Sequence, residues 1–184
     1  MRQPALPINP QRLAMLLRLE LVAGAAGQPY EPSVDCDLLS RELGAFAAGY
    51  APDGCREMTA ALSFAAPGDI RELNLKYRGI DQETDVLSFP LWETEGEFRP
   101  PAGWETLPLG DIVVSPEYVF YSARERKIDY NDEIVLVIIH GALHLLGFDH
   151  DTEERERLMW GAQDALLAGY VLKSSRASAA NEED

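Results

Sequence analysis

All three histidines of this 184-residue chain lie within one eleven-residue segment, HGALHLLGFDH. They are His140, His144 and His150, and Gly147 stands between the second and the third. Residues four apart on a helix lie one turn apart on the same face, so His140 and His144 can reach a single point. Glycine tolerates positive φ, so a reversal at Gly147 can bring His150 back to that point. The segment therefore predicts a helix that ends near residue 146 and a turn that folds back on it.

Three converging imidazoles predict a metal site. Imidazole is the commonest metal ligand among side chains, and three nitrogens with an open fourth position are typical of a catalytic rather than a structural zinc. We therefore predict one Zn²⁺ per chain, bound by His140, His144 and His150. Histidines that only pack in the core are the alternative, and each buried ring would then need a polar partner.

The spacing of the three histidines equals that of the metzincin proteases, H-E-x-x-H-x-x-G-x-x-H. In those enzymes the glutamate after the first histidine is the general base. Gly141 occupies that position here and has no proton acceptor in its side chain. A zinc-dependent, peptidase-like hydrolase is therefore the less favoured interpretation.

The rest of the chain predicts an α+β fold, with a small mixed β-sheet, about five helices and the metal site on a central helix. We expect strands at residues 17–22, 58–64, 86–89 and 111–115. We expect helices at residues 35–48, 69–77, 115–127, 129–146 and 152–168. Asp69 is the predicted N-cap of the second helix and Ser115 that of the third. Residues 91–109 show no clear period and are predicted to form a loop.

Length and composition predict a single catalytic domain over residues 13–170. Prolines in residues 1–12 predict a flexible leader, and the small, polar and acidic residues 171–184 predict a disordered tail. The net charge of −15 excludes histone-like binding of nucleic acid. No signal peptide or membrane span is expected, and the two cysteines suit reduced thiols. We therefore expect a cytoplasmic protein that acts on neither DNA nor a membrane.

Three segments resemble one family. HGALHLLGFDH resembles the signature H-G-x-L-H-L-x-G-x-D-H of the YbeY family of bacterial metal-dependent endoribonucleases. Residues 73–90, LNLKYRGIDQETDVLSFP, resemble its block N-x-x-Y-R-x-x-D-x-x-T-D-V-L-S-F-P. Residues 110–115, GDIVVS, resemble its strand G-D-I-x-I-S. The resemblance covers roughly residues 55–167.

The resemblance implies a zincin-like fold, zinc bound by His140, His144 and His150, and a role for Arg78 in RNA cleavage or binding. It implies a zinc-dependent, single-strand-specific endoribonuclease that acts in 16S rRNA 3′-end maturation and ribosome quality control. It also implies ribosomal RNA, a small-subunit ribosomal protein and an assembly GTPase as partners. A non-catalytic, zinc-stabilised ribosome assembly factor remains an alternative.

The supporting residues leave some assignments open. Arg78 either contacts phosphate, as the planar guanidinium does well, or pairs on the surface with Asp81 or Asp85. Asp149 either hydrogen-bonds a ligand imidazole or caps the final helix. Ser88 either donates to a phosphate or, as is commoner for a hydroxyl in a strand, is satisfied by backbone.

Overall fold

A computed structural model describes residues 16–23 and 30–181 of the chain, and the predicted leader lies outside these ranges. Six strands are described there: β1 Leu16–Ala23, β2 Glu57–Phe64, β3 Val86–Pro90, β4 Glu93–Thr94, β5 Glu97–Phe98 and β6 Thr106–Val114. Five helices accompany them: α1 Cys36–Ala47, α2 Pro67–Arg78, α3 Pro116–Arg126, α4 Tyr130–Leu145 and α5 Glu153–Asn181. The predicted α+β fold, with a mixed sheet and five helices, is confirmed.

Four strands form the main sheet in the order β1-β2-β6-β3. β1 and β6 both pair parallel to β2, and β3 pairs antiparallel to β6. Met58, Ala60 and Leu62 of β2 are buried at alternate positions, so one face of the sheet covers the core. β3 is left at one edge of the sheet, with a single strand neighbour.

Helix α4 occupies the centre of the molecule. Its middle segment is apolar on all sides, which is typical of a buried helix, and Ile134, Ile138 and Ile139 are fully buried. It packs against β3, β6, α1, α3 and α5. Asp129 caps its N-terminus by accepting hydrogen bonds from the N–H groups of Asn131 and Asp132. The predicted central helix is therefore present, and it carries His140 and His144.

The predicted loop at residues 91–109 is wrong in two respects. β4 and β5 form a hairpin whose turn, Glu95-Gly96, has positive φ at both residues, as a two-residue hairpin loop requires. β6 begins at Thr106, earlier than the predicted 111, because it pairs along the full length of β2. Strands of two residues are too short to show a period in sequence.

Two other predictions also differ from the structure. Ala66, not Asp69, is the N-cap of α2, because Pro67 starts the helix two residues earlier. Helix α5 continues to Asn181 instead of ending near residue 168. Residues 171–181, predicted to be disordered, are therefore helical, consistent with the high helix propensity of the alanines there. Residues 182–184 lie outside the described ranges.

Within the described ranges, no helix combines the length and the apolar character needed to cross a bilayer.

Candidate metal centre

The first two histidines lie on one face of α4, one turn apart. Both are half-buried, and their Nε2 atoms are only 3.1 Å apart. Their ring centroids are 4.7 Å apart and the rings are nearly perpendicular. The helical spacing predicted this convergence.

The third histidine returns to the same place because the chain reverses after α4. Gly147 has φ of +81°, a conformation that side chains rarely adopt. The ring of His150 lies 5.3 Å from that of His144 and stacks at 5.6 Å on that of His140. One ring nitrogen from each histidine lies within 4.8 Å of the others. The structure thus brings together His140, His144 and His150.

Hydrogen bonds on the far side of two rings orient their lone pairs toward the cluster. His144 Nδ1 lies 2.9 Å from the carbonyl oxygen of Phe148, and His140 Nδ1 lies 3.1 Å from Gln163 Oε1. Both oxygens only accept, so we place the protons on Nδ1. The Nε2 lone pairs then face each other across 3.1 Å. Such an arrangement is repulsive without a cation, and the donor set therefore fits a metal ion.

The environment keeps these rings neutral. Burial, together with the nearby His140 and His150, lowers the pKa of His144 to about 4. Burial also lowers the pKa of His140 below its usual value. Metal binding requires neutral imidazole, so neither ring needs to lose a proton at neutral pH.

The histidines open onto a cavity of about 630 Å³, and β3 forms one of its walls. Arg78, at the end of α2, also lines this cavity and is exposed. Asp81, one of its expected partners, instead pairs with Arg71 at 2.7 Å. Asp85 accepts hydrogen bonds from Thr84 and from the Val86 N–H. In the part of the chain that the structure describes, Arg78 has no ion-pair partner.

Gly141 faces the sheet at close range. A Cβ added there would lie 2.8 Å from Ile112 Cγ2 and 3.1 Å from Ser88 Oγ. The Ser88 hydroxyl donates to the Gly141 carbonyl at 3.2 Å, the expected backbone partner for a strand hydroxyl. A side chain at position 141 would therefore push α4 away from β3 and β6.

The open edge of β3 lies beside the same cavity. In an antiparallel pair, backbone hydrogen bonds to the partner strand come from alternate residues. Asp85 O accepts from Ser115, and Leu91 N–H donates to Leu109, so the odd-numbered residues bond toward β6. The backbone groups of Val86, Ser88 and Pro90 then point away from β6.

Two residues near the site were not assigned correctly from sequence. Asp149 Oδ1 accepts from the backbone N–H of His150, and among the described residues it forms neither a hydrogen bond to an imidazole nor a cap bond to α5. Thr152 accepts the α5 cap bond from Arg155 N–H instead. Gln163, the partner of His140, was missed. It lies 23 residues further along the chain, and nothing in the sequence marks it.

Comparison with known proteins matches this site to a family. The family model described as Endoribonuclease YbeY matches residues 48–171, which include Arg78 and the three histidines. That match spans more than half of the chain. The chain belongs to the YbeY family.

Several YbeY proteins are similar to it over most of their length. Endoribonuclease YbeY of Halalkalibacterium halodurans is 42% identical over 144 residues, which cover 76% of this chain and 89% of that protein. Endoribonuclease YbeY of Caldanaerobacter subterraneus subsp. tengcongensis is 45% identical over 121 residues, 64% of this chain and 77% of that protein.

A solved structure also shares the fold. The solution structure of TM1509 from Thermotoga maritima matches with a TM-score of 0.51 and 25% identity, covering 88% of this chain and 93% of that one. The predicted membership of the YbeY family is thus confirmed. The roles of the individual YbeY site residues in this chain stay predictions.

Proposed function

We propose that this chain is a zinc-dependent, single-strand-specific endoribonuclease that acts in 16S rRNA 3′-end maturation and ribosome quality control. Membership of a family described as endoribonucleases supports an enzyme that hydrolyses RNA. The proposed dependence on zinc is supported by the convergence of the His140 and His144 Nε2 atoms, with His150 beside them. Ribosomal RNA, a small-subunit ribosomal protein and an assembly GTPase are the proposed partners.

The three imidazoles would hold the zinc through ring nitrogens. Zinc bound in this way lowers the pKa of a water ligand from 15.7 to about 7 and so supplies a nucleophile near neutral pH. Phe148 O and Gln163 Oε1 hold the rings of His144 and His140 in the tautomer that leaves Nε2 free. The chain thus contributes two neutral ligands, His140 and His144, whose orientation is fixed before the ion arrives.

Arg78 is the proposed phosphate-binding residue. Its guanidinium is exposed, lines the cavity and is not neutralised by a carboxylate in the described ranges. A guanidinium pairs two N–H groups with two phosphate oxygens, and it stabilises the negative charge that grows on them during cleavage. In a chain of net charge −15, such a local cation is also needed to attract RNA.

Two observations disfavour the peptidase alternative. Position 141 has no room for the glutamate that peptidases of this spacing use as general base. The edge of β3 also offers few backbone donors to an extended peptide. Of the backbone groups that point away from β6, the Val86 N–H is taken by Asp85, and Pro90 has none. Only the Ser88 N–H remains as a backbone donor along β3.

The test is cleavage of a precursor 16S rRNA 3′ fragment by four identically purified proteins: wild type, His144→Ala, Arg78→Ala and Arg71→Ala. We expect no cleavage by His144→Ala. We expect Arg78→Ala to lower kcat by about 10²–10³-fold, the usual loss when one donor to a developing negative charge is removed. Arg71 lies on the same helix but pairs with Asp81, so Arg71→Ala is the matched control and should retain activity.

The outcomes separate the hypotheses. Equal cleavage by wild type and His144→Ala would refute the histidine-based mechanism. Cleavage by neither would favour the non-catalytic assembly factor, provided that His144→Ala still supports ribosome assembly. Cleavage of a duplex and of a single strand at equal rates would refute the proposed strand specificity.

A further inference from the structure

The β4–β5 hairpin packs against the loop that carries the third histidine. A Cβ added to Gly147 would lie 2.7 Å from the backbone nitrogen of Phe98, so the hairpin and the reversal are in direct contact. The hairpin is itself anchored to the sheet, because Trp92 Nε1 donates to the Pro108 carbonyl at 2.6 Å. It therefore forms a fixed support beside the loop.

The side chain of Arg155, on α5, joins this hairpin to the loop. Its Nη2 donates to the Gly96 carbonyl in the hairpin turn at 2.8 Å. Its Nη1 donates to both carboxylate oxygens of Asp151 at 3.0 Å, and it lies 3.6 Å from a carboxylate oxygen of Asp149. The Arg155 side chain is 31% exposed, so these interactions are partly shielded from water. Asp149 and Asp151 are the two neighbours of His150 in the chain.

His150 differs from the other two histidines in how it is held. His140 and His144 each have a hydrogen-bond partner on Nδ1, and both lie on a rigid helix. His150 is exposed, and in the described part of the chain its ring has no hydrogen bond to an acceptor that would orient it. Its position therefore depends on the backbone of residues 147–151.

We propose that Arg155 is a positioning residue for His150, because it fixes the loop on both sides of that histidine against the hairpin. The inference rests on the proposed metal site. The two terminal nitrogens of the Arg155 guanidinium donate to the hairpin turn and to the Asp151 carboxylate at the same time. The single ammonium group of a lysine cannot reproduce this geometry. Loss of this support frees the third ligand and weakens metal binding without removing any ligand.

The test is zinc affinity, measured by competition with a chromophoric chelator at neutral pH. Replacing a residue that supports a metal ligand typically weakens affinity by about 10–100-fold, and we expect that loss for Arg155→Leu. Arg155→Lys should give a smaller loss. Arg157→Leu is the matched control, because Arg157 is exposed on the same helix and has no ion pair within the described ranges. It should bind zinc as tightly as wild type.

A double-mutant cycle with His150→Ala separates positioning of the ligand from general support of the fold. In the His150→Ala background the third ligand is already absent, so Arg155→Leu should change zinc affinity by less than about two-fold. Circular dichroism of the metal-free proteins checks that each variant is folded. An equal loss in both backgrounds, or no loss in either, would overturn the proposal.

The result is distinguishable from failure of the proposed function. A wild-type protein that binds no zinc would overturn both the metal site and the role of Arg155. A protein that binds zinc through a loop held by Arg155, yet cleaves no RNA, would refute the enzymatic function and leave this inference supported.

Discussion

Gly141 sets how closely helix α4 can approach the sheet. Because a Cβ at this position would lie 2.8 Å from Ile112 Cγ2, Gly141→Ala should lower the free energy of unfolding by about 1–3 kcal/mol, the usual cost of overpacking. Gly161 in α5 is the matched control, since a Cβ there meets no atom within 4 Å. Gly161→Ala should raise the free energy of unfolding by roughly 0.5–1 kcal/mol through helix propensity. Urea unfolding of both variants measures the difference, and equal effects would contradict the close packing.

The partly buried hydroxyl of Tyr130 leads us to expect that the protein loses stability in alkali. Its hydroxyl donates to the Tyr30 carbonyl at 2.6 Å, and burial raises its pKa to about 12. An unfolded tyrosine titrates near 10, so between these two values the unfolded chain releases a proton that the folded chain keeps. The folded state is therefore progressively destabilised as pH rises through this window.

The expected result is a smaller alkaline loss in Tyr130→Phe than in wild type. At pH 8 the variant should be less stable by about 1 kcal/mol, because it lacks the hydrogen bond to Tyr30. Urea unfolding between pH 8 and 11.5 gives both quantities. The same decrease in stability in the two proteins would show that Tyr130 does not carry the effect.

Local spacing was sufficient to predict the histidine residues but not the residues that support them. Two of the histidines, His140 and His144, are one turn apart on α4, and His150 follows the reversal at Gly147. Their convergence therefore follows from helical geometry and one glycine. Gln163 and Arg155 reach the same site from α5. Both residues reach the site because α5 packs against α4, and no periodic pattern in the sequence predicts that contact.

At the scale of elements, the capping of α4 gives a matched comparison. Asp129 accepts two backbone N–H groups at the start of α4, whereas Asp69 lies inside the first turn of α2 and makes no cap bond. Asp129→Ala should cost about 1 kcal/mol of stability, the usual value for losing an N-cap. Asp69→Ala should cost about 0.3–0.5 kcal/mol, since only its interaction with the helix dipole is lost.

Thermal or urea unfolding of these two variants checks the assignment of the caps. A larger loss for Asp69→Ala than for Asp129→Ala would contradict the N-terminus that the structure gives to α2. The loss for Asp129→Ala should appear in the zinc-free protein, because the cap bonds do not involve the metal. The proposed ligands on α4 are unchanged by this substitution.

The elements that sequence predicted well are those with enough residues to show a pattern. Buried and half-buried residues alternate along β2, and apolar residues recur along α1 and α4. The β4–β5 hairpin has two residues per strand and is held by Trp92 and Arg155 from outside it. Tertiary contacts determine such an element, so the sequence between residues 91 and 109 gives little warning of it.

At the scale of the whole molecule, the proposed metal links the site to global stability. A ligand that binds only the folded state stabilises it by RT ln(1 + [L]/Kd), or about 2.7 kcal/mol at 100 times Kd. We therefore expect zinc to raise the unfolding temperature of the wild-type protein and a chelator to reverse the rise. His150→Ala should show a smaller rise at the same zinc concentration. A zinc-independent unfolding temperature would contradict the site.

The edge of β3 has a consequence for how the protein behaves at high concentration. Exposed edge strands are where folded proteins pair with one another and polymerise. Pro90 has no N–H to donate, and the Val86 N–H is already bound by Asp85, so a second copy of the chain finds a single N–H donor along this edge, that of Ser88. The loss of two of its three outward donors weakens the strand-to-strand pairing that a regular edge beside an open cavity would invite.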